Sequence, residues 1–398
     1  MKYKLKDIFD LQMGKTPSRN NPTYWNTEDY KWISIADLSK TGMYILDTKE
    51  YLSEKAILES GIKVIPANTV VMSFKLSIGK TAITSEDMYS NEAIMSFHDK
   101  HIVEILPEYL FYMFKYKNWD EGSNKAVMGK TLNKATLSEV MIEICSSEKQ
   151  KEIVNILNKM THIIKLRQQQ LSELDTLIKA RFVEMFGDPV LNSFGWCRVS
   201  LSEVTSKIGS GATPKGGKES YRSEGISLIR SMNVHDGKFK YKDLAHITEK
   251  QAKQLNNVIV EENDVLVNIT GASIARTCVV PKNVLPARVN QHVAIIRCDC
   301  EQVQPVFLNN LFLNIRFKKM LLSMGENGGA TRQAITKQQL ENIDVIVPPL
   351  SLQNEFAAFV QQIDKLRFGG RKRLTKAKNT KNNNRNTITL ERSTLYGK

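Results

Sequence analysis

The 398-residue chain has only five cysteines, Cys145, Cys197, Cys278, Cys298 and Cys300, an odd and scattered set with no Cys-x-x-Cys pair. That pattern fits free thiols in a reducing compartment and argues against a disulfide scaffold or structural zinc. Nowhere do about 18 apolar residues run together, and Met1–Asp10 mixes charged and apolar side chains, so neither a membrane span nor a secretory leader is expected. The expected location is the cytoplasm. Catalytic signatures are also scarce. Gly-Lys-Thr occurs at Gly14, Gly79 and Gly129, but a phosphate-cradling loop needs a glycine five residues earlier, where Phe9, Phe74 and Asn124 stand. Asn21-Pro22-Thr23-Tyr24 resembles an amino-methyltransferase loop only in part, and no glycine-rich cofactor strand accompanies it. His98 and His101 lack neighbouring metal-ligand partners in the sequence, and no Gly-x-Ser-x-Gly elbow occurs. The expectation is a chain with no catalytic residue, no metal and no cofactor of its own.

What is present is a basic, apolar-rich chain. It carries a formal charge of +14 with 41% hydrophobic residues, enough for a sizeable core and more than one domain. The stretch 367–398 holds ten Lys/Arg against the single acid Glu391, which leaves the rest only mildly basic at +5.

The two halves of the chain repeat one another. Leu5-Lys6-Asp7-Ile8 and Gly14-Lys15-Thr16-Pro17 return as Leu201-Ser202-Glu203-Val204 and Gly211-Ala212-Thr213-Pro214, and Ser77-Ile78-Gly79-Lys80-Thr81-Ala82 returns as Ser273-Ile274-Ala275-Arg276-Thr277-Cys278. Each half closes on a shared pattern: Leu137, Val140, Ile142, Ile144, Gln150 and Glu152 match Leu340, Ile343, Val345, Val347, Gln353 and Glu355 at a constant offset of 203 residues. Short β-branched runs at Val70–Phe74, Val258–Val260 and Asp264–Asn268 predict strands, and Glu108–Lys117 and Val306–Phe317 predict helices. Each body is therefore expected to be a compact α+β domain.

Between the bodies, Ser147–Phe186 contains neither Pro nor Gly, and Gly187 and Pro189 end it. Apolar residues fall at Ile153, Leu157, Met160, Ile164, Leu171, Leu174, Ile178 and Met185, in steps of four and three, with Arg167 and Arg181 at the two missing seam positions. This predicts a coiled-coil helix roughly 60 Å long, at ~1.5 Å per residue. Its partner is expected from the end of the second repeat, where Phe356, Phe359, Ile363 and Leu366 begin a seam. Gly369-Gly370 and the Lys/Asn-rich run that follows predict that this helix stops near 369 and that 370–398 is a disordered basic tail. In that case Leu171, Leu174 and Ile178 would need cover from another subunit or would favour self-association.

A duplicated globular unit with a long spacer and no catalytic motif describes a two-headed binder. At this point the sequence resembles the specificity subunit (S, or HsdS) of type I restriction-modification enzymes. The resemblance rests on Gly14-Lys15-Thr16-Pro17-Ser18 with Tyr24-Trp25 and Trp32-Ile33-Ser34, on Gln150-Lys151-Glu152-Ile153, and on Ala180 through Pro189. In the second half it continues through Gly329-Ala330-Thr331-Arg332-Gln333-Ala334-Ile335-Thr336 and Pro348-Pro349-Leu350. It implies two tandem target recognition domains, 1–146 and 187–349, separated by the helix 147–186 and followed by the start of a second spacer helix at 350–369. It further implies that each domain reads one half of a bipartite asymmetric site in double-stranded DNA. The helices would set the spacing and dock methyltransferase subunits, two being expected, with restriction/translocase subunits joining the complex. S-adenosylmethionine, ATP and magnesium would then sit on those partners. The competing readings are a stand-alone DNA-binding module and a coiled-coil protein scaffold.

Phosphate positioning favours Lys, Arg, Ser and Thr near glycine turns, and base readout favours Arg, Asn and Gln. The DNA-contact candidates are Lys15, Thr16, Lys75, Ser77, Lys80 and Lys130 in the first body. In the second they are Thr213, Lys215, Arg230, Asn268, Thr270, Arg276, Asn290, Gln291 and Arg332.

Overall fold

A computed structural model describes the chain except residues 26, 76, 120–131, 215–220, 327–333 and 391–398, with side chains of the last helix described through residue 382. Two compact units result, Met1–Leu166 with Leu374–Lys398, and Arg167–Arg373.

In the first unit, strands Phe9–Met13, Ile94–Asp99, Val70–Ser73, Thr81–Thr84 and Tyr44–Ile45 form a five-stranded sheet in that order. A three-stranded sheet pairs Glu50–Leu52 with Tyr30–Ile33 and Tyr30–Ile33 with Tyr89–Ser90. The Val70–Ser73 strand is buried throughout, which explains its unbroken apolar run rather than an alternating one. Helix Pro107–Tyr116 covers this sheet and contributes Phe111 and Phe114 to a core that includes Phe9, Phe97 and Trp119.

In the second unit, Thr205–Ser210, Val293–Cys298, Val265–Asn268 and Thr277–Val279 form one sheet, and Ala245–Ile247, Ile226–Ile229, Ala287–Val289 and Ile259–Val260 another. The expected helix Val306–Phe317 is two helices, Pro305–Leu313 and Ile315–Glu326. Asn314 leaves the helical region at ψ 137°, and its side chain accepts from the N–H groups of Arg316 (3.0 Å) and Phe317 (3.4 Å). An asparagine that caps the next helix ends the previous one.

The closing repeat has one structural purpose in both units. Lys2–Lys4 pairs antiparallel with Met141–Glu143, and Cys197–Ser200 with Asp344–Val347, so the chain returns to its start before each long helix begins. The fully buried Gln150 then accepts from the Leu106 N–H (2.9 Å) and donates to the carbonyls of Glu104 (2.8 Å) and Cys145 (3.0 Å). Gln353, equally buried, accepts from the Gln304 N–H (2.9 Å) and donates to Gln302 (3.1 Å) and Pro348 (2.8 Å).

The central helix spans Ser147–Phe186. Of its seam, Leu157, Ile178 and Met185 are buried, and Ile153, Met160, Ile164, Arg167, Leu171, Leu174 and Arg181 are half-buried. The C-terminal helix spans Leu350–Leu390, so the expected stop at 369 and the disordered tail directly after it are corrected. Its inward positions are Phe356, Val360, Ile363, Arg367, Gly370, Leu374, Ala377 and Lys381, again in steps of four and three. Small and cationic residues replace large apolar ones without breaking the period. Phe359 is half-buried and Leu366 is exposed, off the line of the stripe.

Within the second unit, a Cβ on Gly370 would lie 3.1 Å from the Leu171 side chain, and Leu174 and Ile178 pack in a core with Phe356, Val360 and Ile363. These three central residues are therefore covered by the chain itself. Arg367 bonds Asp175 and also Asp364 (2.7 Å), and Lys238 bonds Asp175 (2.9 Å). Within the first unit, Lys381 Nζ donates to Thr161 Oγ1 at 2.7 Å and lies 5.9 Å from the Tyr116 ring. Burial, then repulsion by Lys115, lowers the Lys381 pKa.

Candidate nucleic-acid interface

Each unit builds the same three-part frame from a glycine loop, an asparagine turn and a hairpin loop. In the first, a Cβ on Gly14 would collide with the Ser90 and Asn91 carbonyls, so only glycine lets the loop press on that strand end. The Lys15 N–H then donates to the Ser90 carbonyl (2.8 Å), and the Lys15 carbonyl accepts from Trp32 Nε1 (3.1 Å). In the second, Gly211 presses on the Val289 carbonyl and its N–H reaches the Asn290 carbonyl (3.2 Å). Asn91 Oδ1 accepts from the Ala93 N–H (2.6 Å), as Asn290 Oδ1 does from His292 (3.1 Å). Both asparagine N–H groups donate 3.1 Å to the end of the neighbouring strand, at Ile33 and Ile229.

The hairpin loops leave this turn in the same way. Phe74 N–H donates to the Ala93 carbonyl and Ile269 N–H to the His292 carbonyl, each at 3.0 Å. At their far ends, Ser73 and Asn268 donate to the Lys80 and Arg276 carbonyls at 2.9 and 2.8 Å. Gly79 (φ 85°) and Ala275 (φ 62°) occupy matching left-handed positions. The repeat of Ser77–Ala82 in Ser273–Cys278 is thus a repeat of backbone geometry.

Lys15 is exposed and Thr16 half-buried, and the Thr16 hydroxyl bonds the Glu92 carboxylate. Lys75 lies 5.4 Å from the Phe74 ring. Ser77 is half-buried, its N–H on the Lys75 carbonyl at 2.6 Å, and its own carbonyl accepts from the Ser73 hydroxyl. Lys80 Nζ reaches Ser39 Oγ. In the second unit, exposed Thr213 bonds exposed Gln291, repeating the Thr16–Glu92 pair. Thr270 Oγ1 meets His292 Nδ1. Arg230 is held by the Asp243 carbonyl and lies 5.2 Å from the Tyr221 ring. Arg276 is half-buried and makes no side-chain hydrogen bond or ion pair among the described residues. His235 is kept below its usual pKa by burial and by the charges of Lys240 and Arg276.

Two candidates belong to the frame rather than the surface. Asn268 is fully buried, its amide donating to the carbonyls of Ser231 (2.9 Å) and Val234 (3.4 Å), and Asn290 is 5% exposed at the turn it shapes. A side chain with no exposed surface cannot reach a base edge. Lys130, Lys215 and Arg332 lie outside the described residues.

Glu92 is not among the expected contacts, although Asn91-Glu92 aligns with Asn290-Gln291 in the sequence. Nor is Arg19, which pairs with Glu50 and stacks 3.7 Å from the Trp25 ring, steadying the loop after Thr16. Asn21-Pro22-Thr23-Tyr24 is a capped 3₁₀ turn, with Asn21 Oδ1 accepting from the Thr23 N–H at 3.1 Å. His98 sits beside Ser96 Oγ (2.9 Å), and burial lowers its pKa. No group of three or more His, Cys, Asp or Glu among the described residues could hold a metal.

Comparison with known proteins gives a consistent result. The family described as type I restriction modification DNA specificity domain matches residues 1–176 and again 195–379. The MjaIX type I restriction enzyme specificity subunit of Methanocaldococcus jannaschii is 25% identical over 381 residues, covering 90% of this chain and 85% of that one. The EcoR124I/EcoR124II specificity subunit of Escherichia coli is 27% identical over 175 residues, 39% of this chain and 42% of the relative. A chain from a solved structure on assembly and conformational transition of the type I R-M system aligns with a TM-score of 0.64 at 16% identity, covering 98% of this chain and 97% of that one. The S subunit from M. genitalium gives 0.56 at 13% identity, covering 98% and 95%.

Proposed function

The chain belongs to the type I restriction modification DNA specificity family, whose subunits are non-catalytic, and from that membership we propose that its two repeat bodies each read one half of a bipartite site in double-stranded DNA. The two long helices act as the ruler between the halves and as the dock for two methyltransferase subunits. Methylation and cleavage, with S-adenosylmethionine, ATP and magnesium, then reside on the methyltransferase and restriction/translocase partners. The observation that carries this reading is the duplicated frame, in which Lys15, Thr16, Lys75 and Lys80 in one body and Thr213, Thr270 and Arg276 in the other cluster about matching loops. Such groups position a phosphate backbone and read base edges. The docking role is supported by exposed apolar residues of the central helix that are not seam positions, Ile156, Ile163 and Leu166 in the first unit and Leu177 in the second.

Co-expression of the chain with a methyltransferase subunit of its own system, followed by genome-wide reading of base methylation, tests the proposal. The expected result is a bipartite motif with a fixed unspecified gap, absent when the chain is absent. Methylation with no motif, or with a single uninterrupted one, would refute it. Arg276→Ala is expected to weaken specific binding by about 1–3 kcal/mol if the guanidinium reads a guanine. Unchanged affinity and base preference in a titration would remove it from the interface.

A further inference from the structure

At the tip of each asparagine turn stands one exposed side chain with hydrogen-bonding atoms to spare, Glu92 in the first body and Gln291 in the second. The residue before it is fixed by its own turn and by the neighbouring strand, and the residue after it anchors the hairpin loop. The threonine of the glycine loop holds the side chain from a third direction, Thr16 on Glu92 and Thr213 on Gln291. A hydrogen bond on the exposed side chain itself, with the backbone fixed on both sides of it, is more than a solvated surface group needs. It is what a reading position requires, because a bidentate contact fails when its donor or acceptor is free to swing.

The chemistry at the two tips is opposite. The Thr16 hydroxyl occupies Oε2 of Glu92, leaving Oε1 without a hydrogen bond among the described residues, and a carboxylate can only accept. Close to Lys15 and the Lys75–Lys80 loop, a carboxylate would oppose phosphates. It is productive at a DNA surface only where it faces an amine. In the major groove those amines are cytosine N4 and adenine N6. Thr213 instead occupies Oε1 of Gln291, leaving the two N–H donors of Nε2. Donors suit guanine O6 and N7, thymine O4 or adenine N7.

Resting on the two-reader function above, we propose that Glu92 and Gln291 are equivalent base-reading positions of opposite hydrogen-bonding sense. Glu92 takes an exocyclic amine in one half-site, and Gln291 presents donors to an acceptor edge in the other. Thr16 and Thr213 are positioning residues that aim them.

The test exchanges the two chemistries in the full chain assembled with its methyltransferase subunits, and selects bound sequences from a randomised duplex library. Glu92→Gln is expected to shift preference at one position of one half-site by roughly 5- to 150-fold, leaving the other half and the gap unaltered. Gln291→Glu is expected to do the same in the opposite half only. Both side chains are exposed, so folding should survive, and a melting curve for each variant checks it. An unchanged motif in both variants would overturn the inference and reduce Glu92 to a cap on Thr16. Uniform weakening across both halves, or both substitutions acting on the same half, would overturn it equally. A wild-type complex that selects no motif would refute the DNA-reading function itself, a different and recognisable failure.

Discussion

Replacing Gln353 by methionine should loosen the start of the C-terminal helix far more than a change of similar volume elsewhere. The side chain is fully buried and joins three backbone groups: the Gln304 N–H and the carbonyls of Gln302 and Pro348. Methionine fills nearly the same space, so the cavity contribution is small and the cost is the three groups left without a partner. At about 1–3 kcal/mol for each unsatisfied buried group, full desolvation applies to Pro348, whose bond is wholly buried, while Gln302 is exposed and Gln304 half-buried, so both can recover some hydration. The expected loss is therefore about 2–5 kcal/mol, a large fraction of a domain's ordinary stability of about 5–15 kcal/mol. Urea denaturation should be followed through Trp196, the sole tryptophan between 167 and 373, whose indole donates to the Phe186 carbonyl at 2.9 Å. Hydrogen exchange should lose protection first near 302–304 and 348–353. Gln150→Met should act alike on residues 104–106 and 145–150, because its bonds are the same three. A loss below about 1 kcal/mol would refute the argument, since it would mean that the buried groups find other partners at no cost.

Asp175→Asn leaves Arg367 and Lys238 facing an amide. Arg367 is only 14% exposed but Asp175 is 34% exposed, so solvent screening limits the expected loss to about 1–2 kcal/mol, measurable by urea denaturation. Gly369 and Gly370 should respond differently to alanine. Nothing lies within 4 Å of a Cβ on Gly369, so that change should gain up to about 1 kcal/mol of helix stability, whereas at Gly370 the Leu171 contact should remove most of the gain; melting temperatures decide it. At pH 8 a thiol reagent should label exposed Cys197 and Cys300 in the native chain and reach Cys278 and Cys298 only on unfolding, because burial pushes both thiols up to about 12. Those raised values also fix a sign. Below about pH 9 the two thiols are neutral in both states; above it the unfolded chain ionises them and the folded one does not, so stability should fall as pH rises from 9 toward 12 in a denaturation series.

The sequence by itself determined what is local or periodic. The 203-residue offset paired the residues that the fold turns into closing strands and buried glutamines, and the absence of Gly and Pro between Ser147 and Phe186 delimited the central helix. A helix interior is specified residue by residue, and a seam by spacing alone, so both are legible in one dimension. Tertiary structure decided what depends on a partner's position. Whether Arg367, Gly370, Ala377 and Lys381 can continue a seam depends on the opposing surface, where Asp175 and Thr161 take the charges and Leu171 needs the space that a glycine leaves. Composition alone made that segment look unstructured. Likewise Asn268 and Gln291 are both amides beside loops, but strand pairing buries one and a turn exposes the other, a distinction set by contacts remote in sequence. The Asn91-Glu92 and Asn290-Gln291 pairs can be aligned in the sequence, but that Thr16 and Thr213, 197 residues apart, hold the two side chains in equivalent frames appeared only in the fold. Hydrogen-bond partnership between distant segments is a property of the folded chain, and the pattern of residue types does not encode it.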